Sequence, residues 1–120
     1  MPNPVSYFEL GGRNAGKLRE FYSELFGWQI EHFGAATFAE YYSVASTEGG
    51  IAGGIIQTSG EMPPNYLMVY VTVDDLQACL DRAESLGGET VVPPWEMPGG
   101  MGQIAVFRDP DGNTIGLHKS

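Results

Sequence analysis

The spacing of hydrophobic and polar positions changes several times along the chain. Val5-Ser6-Tyr7-Phe8-Glu9-Leu10 alternates, with Phe8 and Leu10 on one face and Val5, Tyr7 and Glu9 on the other. That predicts a strand, which Gly11-Gly12 ends. From near Asn14 to Phe26, Leu18, Phe21, Tyr22, Leu25 and Phe26 follow helical spacing. Asn14 suits the N-cap and Gly27 the left-handed position after the last turn. Trp28 to Phe33 reads as strand, with a turn near Gly34. Thr37 to Val44 is a second, aromatic-rich strand. A polar turn at Ser46, Thr47, Glu48 and Gly49 leads to a third, Ile51 to Gln57. Gly53 and Gly54 weaken that strand but allow close approach.

Thr58 to Asn65, with Pro63-Pro64, reads as a linker, and then the pattern begins again. Leu67, Val69, Val71 and Val73 alternate with Tyr66, Met68, Tyr70 and Thr72. Asp74 is the expected cap of a second helix, with Gln77 completing a capping box. Leu76, Cys79, Leu80 and Ala83 form the apolar stripe of that helix, and Gly87 stops it. Glu89 to Val92 is a strand, and Pro93 to Gly100 a loop carrying Trp95 and Met97. Gln103 to Arg108 and Asn113 to Lys119 close the unit as a hairpin. Its turn, Asp109-Pro110-Asp111-Gly112, has Pro to preset φ, Asp to bind nearby N–H groups and Gly to accept positive φ.

The chain therefore contains two βαβββ units, about 1–60 and 65–120, within one 120-residue domain of the α+β class. Each sheet has one face under its helix. Two such sheets side by side predict a concave cup with a polar and aromatic lining, the kind of site that takes small ligands.

Composition narrows the function. The formal charge of −9 and the absence of a Lys/Arg cluster argue against nucleic acid. No apolar run approaches the roughly 20 residues of a membrane span. Met1-Pro2-Asn3-Pro4 lacks the features of a signal peptide, which points to a cytoplasmic protein. The single cysteine, Cys79, falls at an apolar helix position and reads as a core thiol. No phosphate-binding loop, CxxC pair, Ser-His-Asp set or HExxH motif is present.

The paired βαβββ units, the Phe21-Tyr22-x-x-Leu25-Phe26-Gly27-Trp28 run and the Asp109-Pro110-Asp111-Gly112-Asn113 hairpin resemble the vicinal oxygen chelate superfamily. That group includes glyoxalase I, bleomycin-resistance proteins and extradiol dioxygenases. The similarity covers essentially the whole chain and is strongest to small glyoxalase-like proteins. It implies pairing as a homodimer. In metal-dependent members, His, Gln and Glu from the first and last strands of each unit hold a divalent ion. Here those places fall near Val5 or Tyr7, within residues 50–56, near Met68, and on Gly116. None suits a hard or borderline divalent ion, so no metal ligand is assigned and no cofactor is expected.

On the expected cup face, Glu9 is either a hydrated or Arg108-paired carboxylate, or a ligand anchor and general base. His118 is either an exposed terminal residue or a donor and acid/base group. Tyr7, Met68 and Tyr70 either fill the cup or stack on a flat ligand. Trp95 suggests a lid or dimer contact. His32 receives no role. The reading that follows is a glyoxalase-like protein binding an apolar or aromatic small molecule through Tyr7, Glu9, Met68, Tyr70, Trp95 and His118, without a catalytic metal. The alternative is a divalent-metal-dependent lyase or isomerase related to lactoylglutathione lyase.

Overall fold

The computed structural model describes residues 2–35 and 40–120. Its elements run β1 (Val5–Gly12), α1 (Ala15–Phe26), β2 (Ile30–Ala35), β3 (Glu40–Val44), β4 (Ala52–Gln57), β5 (Tyr66–Thr72), α2 (Leu76–Ser85), β6 (Glu89–Glu96), β7 (Gln103–Arg108) and β8 (Thr114–Lys119). This is βαβββ twice, in the α+β class. No described helix is long and apolar enough to cross a membrane.

The residues group into two compact units. One is Tyr7–Leu67; the other joins residues 2–6 to Met68–Ser120. In the Tyr7–Leu67 unit the strand order is β2-β3-β4-β1, with β1 and β4 parallel and the β2–β3 and β3–β4 pairs antiparallel. In the Met68–Ser120 unit the order is β5-β8-β7-β6, with β5 and β8 parallel. There, residues 4–6 run beside β5. The Thr72 N–H donates to the Pro4 carbonyl at 3.0 Å and the Ser6 hydroxyl to the Tyr70 carbonyl at 3.2 Å.

One face of each sheet is covered by its helix, as the alternation requires. Phe8, Leu10, Leu18, Tyr22 and Trp28 pack around buried Ala15, Ile30, Tyr42, Val44 and Ile55. In the second unit, Val71, Cys79 and Phe107 pack around Val73, Leu76, Leu80, Ala105 and Leu117. Cys79 is thus a thiol at the core edge, and burial pushes its pKa up.

The caps show why the helices start and stop where they do. The Asn14 side chain accepts from the Lys17 N–H at 3.1 Å, and Gly27 takes a left-handed φ of 70° while its N–H donates to the Ser23 carbonyl. The α2 cap is Asp75 rather than Asp74. Asp75 accepts from the Ala78 N–H at 3.0 Å, and the Gln77 amide turns outward to Asp81, so no capping box forms. The hairpin turn is built as its sequence dictates. Asp109 Oδ1 accepts from the Asp111 and Asn113 N–H groups, both at 2.9 Å, and Gly112 adopts a φ of 92°. These bonds, those from Asn113 foremost, hold the Asp109 carboxyl below the usual carboxylate range.

Other expectations need correction. The strand that begins at Ile30 runs to Ala35, past the expected end at Phe33, and the residues after it, where the turn expected near Gly34 would fall, lie outside the described residues. The expected start of the next strand, at Thr37, lies outside the described residues. Trp95 is not in a loop. β6 runs on through Pro93-Pro94, and Trp95 sits opposite Ile104. Proline is tolerated there because β6 is an edge strand, and the register shifts on that stretch absorb the missing donors. Only Leu18 and Tyr22 of the α1 stripe reach the core cluster, whereas Phe21, Leu25 and Phe26 are more than half exposed. The apolar stripe is wider than the sheet beneath it, and its aromatic part stacks sideways, Tyr22 on Phe26 and on Trp28.

Two measurements test these assignments. Asn14→Ala is expected to lower the unfolding free energy by about 1 kcal/mol, with Asn14→Asp retaining most of it. Equal denaturant midpoints for Asn14→Ala and the parent would contradict the cap. Gly54→Ala is expected to destabilise by about 1–3 kcal/mol through overpacking, because the Tyr41 hydroxyl occupies the space a Cβ needs.

Candidate functional site

The face of the Tyr7–Leu67 sheet turned away from α1 carries Tyr7, Glu9 and Gly11 from β1 beside Ala52, Gly54 and Ile56 from β4. Two of these positions are glycines for a steric reason. The Tyr66 ring lies where a Cβ on Gly11 would be, and the Tyr41 phenol where one on Gly54 would be. Gly54 is the direct neighbour of Glu9 in the β1–β4 register, and Gly11 follows it on the same face. The two gaps therefore seat two tyrosines around one carboxylate.

Glu9 is only 9% exposed. The Tyr66 hydroxyl donates to Glu9 Oε1 at 2.6 Å, a separation typical of a hydroxyl bonded to a carboxylate anion. Tyr7, Tyr41 and Tyr66 are each half-buried, so the rings form accessible walls above a buried acid. Burial, and then the negative charge of Glu9, push all three phenols upward, Tyr41 to about 12 and Tyr7 and Tyr66 further still. For Tyr66 the bond to Glu9 adds to the effect. All three phenols are neutral hydroxyls at neutral pH, and each is able to donate.

In the Met68–Ser120 unit, the face away from α2 carries Met68 and Tyr70 from β5 beside Gly116 and His118 from β8. Cross-strand register continues it through Ile104 to Trp95. Tyr70 is 4% exposed and, with the Met68 methyl, fills the space beside Gly116. His118 is half-buried rather than a loose terminal residue, and its Nε2 lies 2.9 Å from the Met101 carbonyl. Trp95 is 43% exposed.

Of the residues expected around one cup, the structure places Tyr7 and Glu9 on one face of one unit, and Met68, Tyr70, His118 and, on a strand rather than a loop, Trp95 on one face of the other. Arg108, considered as a partner for Glu9, meets Glu89 at 3.2 Å. Tyr41 and Tyr66 were missed as site residues. The signal that marks them is the pair of glycines flanking Glu9 on strands that otherwise carry bulky groups.

The resemblance to metal-dependent proteins invites a test of the donor set. The corresponding places hold Val5 or Tyr7, the aliphatic and glycine residues of β4, Met68, and Gly116. Gly54 and Gly116 cannot be replaced there by a longer ligand without displacing Tyr41 or Tyr70. Among the described residues, no group of three or more His, Cys, Asp or Glu converges to hold an ion. The residues present do not fit a divalent metal, and no chemical step is derived through one.

The chain is similar to known proteins along nearly its full length. It is 30% identical to the anthracycline biosynthesis protein DnrV of Streptomyces peucetius, over 97% of this chain and 46% of that one. The chain thus spans about half the length of the first curated relatives it matches. A hypothetical protein, BH1468 of Bacillus halodurans, superposes with a TM-score of 0.79 at 10% identity, covering 100% of this chain and 96% of that one. Methylmalonyl-CoA epimerase of Mycobacterium tuberculosis superposes with a TM-score of 0.73 at 14% identity, covering 96% of this chain and 86% of that one. At such identities the two structures speak to the fold alone. The model of the glyoxalase/bleomycin resistance protein/dioxygenase superfamily matches residues 5–117, and the chain belongs to that superfamily.

Proposed function

We propose that this protein binds flat aromatic or largely apolar small molecules on the helix-free face of a unit. In the Tyr7–Leu67 unit that face offers Tyr7 and Glu9, joined by Tyr41 and Tyr66; in the other it offers Met68, Trp95 and His118, with Tyr70 buried beside Gly116. The observation that carries this reading is the buried Glu9 carboxylate walled by three half-buried phenols, one of them bonded to it at 2.6 Å. Rings supply area and stacking, and a few polar groups fix orientation. Binding requires only complementarity, which this lining has; it does not require a reacting pair. DnrV is named for the biosynthesis of anthracyclines, which are flat polycyclic aromatics, and this agrees with the ligand class.

A second reading is a divalent-metal-dependent lyase or isomerase. What supports it is that several structures of similar fold are methylmalonyl-CoA epimerases, so this fold carries isomerase chemistry elsewhere. In that reading Glu9 is the carboxylate placed to take a proton from a bound substrate. The donor chemistry of this chain favours the first reading, since the places for ion ligands hold aliphatic, glycyl and thioether groups.

Two experiments separate them. In a thermal-shift series over polycyclic aromatics, an anthracycline included, at least one compound is expected to raise the melting temperature by several degrees. Tyr7→Ala is expected to remove most of that rise. A series without any stabilising compound would contradict the binding reading. Metal content after gentle purification is expected below about a tenth of an equivalent, and a full equivalent of nickel, zinc, manganese or iron would establish the second reading instead.

A further inference from the structure

We infer that the outer face of α1 is a self-association surface. A second copy of this chain docks there with its own α1 antiparallel, Phe21 and Leu25 packing at the centre and each Lys17 meeting the partner's Glu24. The two helices of the chain hold the same place in their βαβββ units, yet their outer faces differ in kind. On α2 the exposed positions from Gln77 to Ser85 are polar apart from Ala78, and the Gln77 amide donates to Asp81 one turn on at 2.9 Å. On α1, Phe21, Leu25 and Phe26 are 56%, 57% and 56% exposed. The fold itself therefore does not call for rings outside the helix, and an apolar face of this kind marks an interaction site.

The rings are in place before any partner arrives. Phe21 meets Tyr22 edge-on with centroids 5.0 Å apart. Tyr22 stacks on Phe26 at 6.1 Å and on Trp28 at 5.4 Å, and Trp28 reaches Phe8 at 5.5 Å. A face already fixed in this way loses little side-chain freedom on docking, and aromatic residues commonly anchor protein interfaces.

Charge selects a second copy as the occupant. With a formal charge of −9, two copies repel one another over most of their surface. Three of the six Lys and Arg fall together at Arg13, Lys17 and Arg19, and none of the three pairs with a carboxylate among the described residues. Arg13 donates to the Gly60 and Met62 carbonyls and Arg19 to the Ile30 carbonyl. Lys17 and Glu24 are both exposed, and neither has an ion-pair partner among the described residues. Two helical turns separate them, so they stand on the same side of α1, along the edge of the Phe21 and Leu25 pair. One is near the start of the helix and the other near its end, with opposite signs. The face is thus self-complementary about a two-fold axis at the level of Phe21, and an antiparallel copy forms the Lys17–Glu24 contact twice.

The test is sedimentation velocity of the whole chain from about 5 to about 300 μM, the range in which a small interface associates. The parent is expected to pass from monomer to dimer across that range. Phe21→Glu, with circular dichroism confirming the folded state, is expected to stay monomeric. Lys17→Glu and Glu24→Lys each set like charges against one another and are expected to weaken the dimer about tenfold, and Lys17→Glu combined with Glu24→Lys to restore it. Both exchanges suit the helix dipole, so they test the surface even where Phe21→Glu fails to fold. A parent that stays monomeric would overturn the second copy as occupant and leave the face to another protein. A dimer that persists in folded Phe21→Glu would overturn α1 as its surface. A dimer indifferent to the charges at 17 and 24 would overturn the antiparallel arrangement.

Discussion

The hydrogen bond from Tyr66 to Glu9 is the constraint on which the candidate site depends. A carboxylate removed from water is costly unless donors replace its hydration. Here a phenol supplies one such donor at 2.6 Å. It does so because Gly11 leaves room for the Tyr66 ring to lie flat against β1. A single methyl at Gly11 would push the ring away and strip a donor from the buried anion. Gly54 likewise leaves room for the Tyr41 phenol on the neighbouring strand. The glycine at 11, which weakens its strand, is thus a condition for the Tyr66 bond to the buried carboxylate.

Much of the fold was legible because side-chain period and turn chemistry act locally. Phe8 and Leu10 face the helix, and Tyr7 and Glu9 face away, as alternation requires. The Asp109 turn and the Asn14 and Gly27 caps form as their residue types dictate. Readings failed where neighbours outside the local stretch decide. Pro93-Pro94 suggested a loop, yet an edge strand has no need of their missing donors, so β6 continues to Trp95. Asp74 and Asp75 are chemically equal as caps, and it is Asp75, in extended backbone, whose side chain accepts from the Ala78 N–H. Tyr41 and Tyr66 are distant from Glu9 in sequence, and only the β1–β4 register and the gaps at Gly54 and Gly11 bring them to it.

Membership of the superfamily fixes a scaffold, and the side chains on its helix-free faces fix the chemistry. On this chain the places associated with ion ligands are taken by small or apolar groups, and tyrosine rings lean into the space the glycines leave. Polar groups stand on the helix-free face of each unit, Glu9 accepting from Tyr66 in one and His118 Nε2 lying beside the Met101 carbonyl in the other.

The most direct measurement is a spectrophotometric titration of tyrosine ionisation in the parent protein and in Glu9→Gln. Tyr7, Tyr41 and Tyr66 are expected to resist ionisation above pH about 10, the ordinary tyrosine value, with Tyr41 ionising at about 12. The folded state then holds protons that the unfolded chain releases, so stability falls as pH rises above about 10. Glu9→Gln is expected to move the resistant tyrosines downward, because it removes the charge that opposes their ionisation. Tyr7, Tyr41 and Tyr66 titrating near the ordinary value in the folded protein, unchanged by Glu9→Gln, would contradict the account.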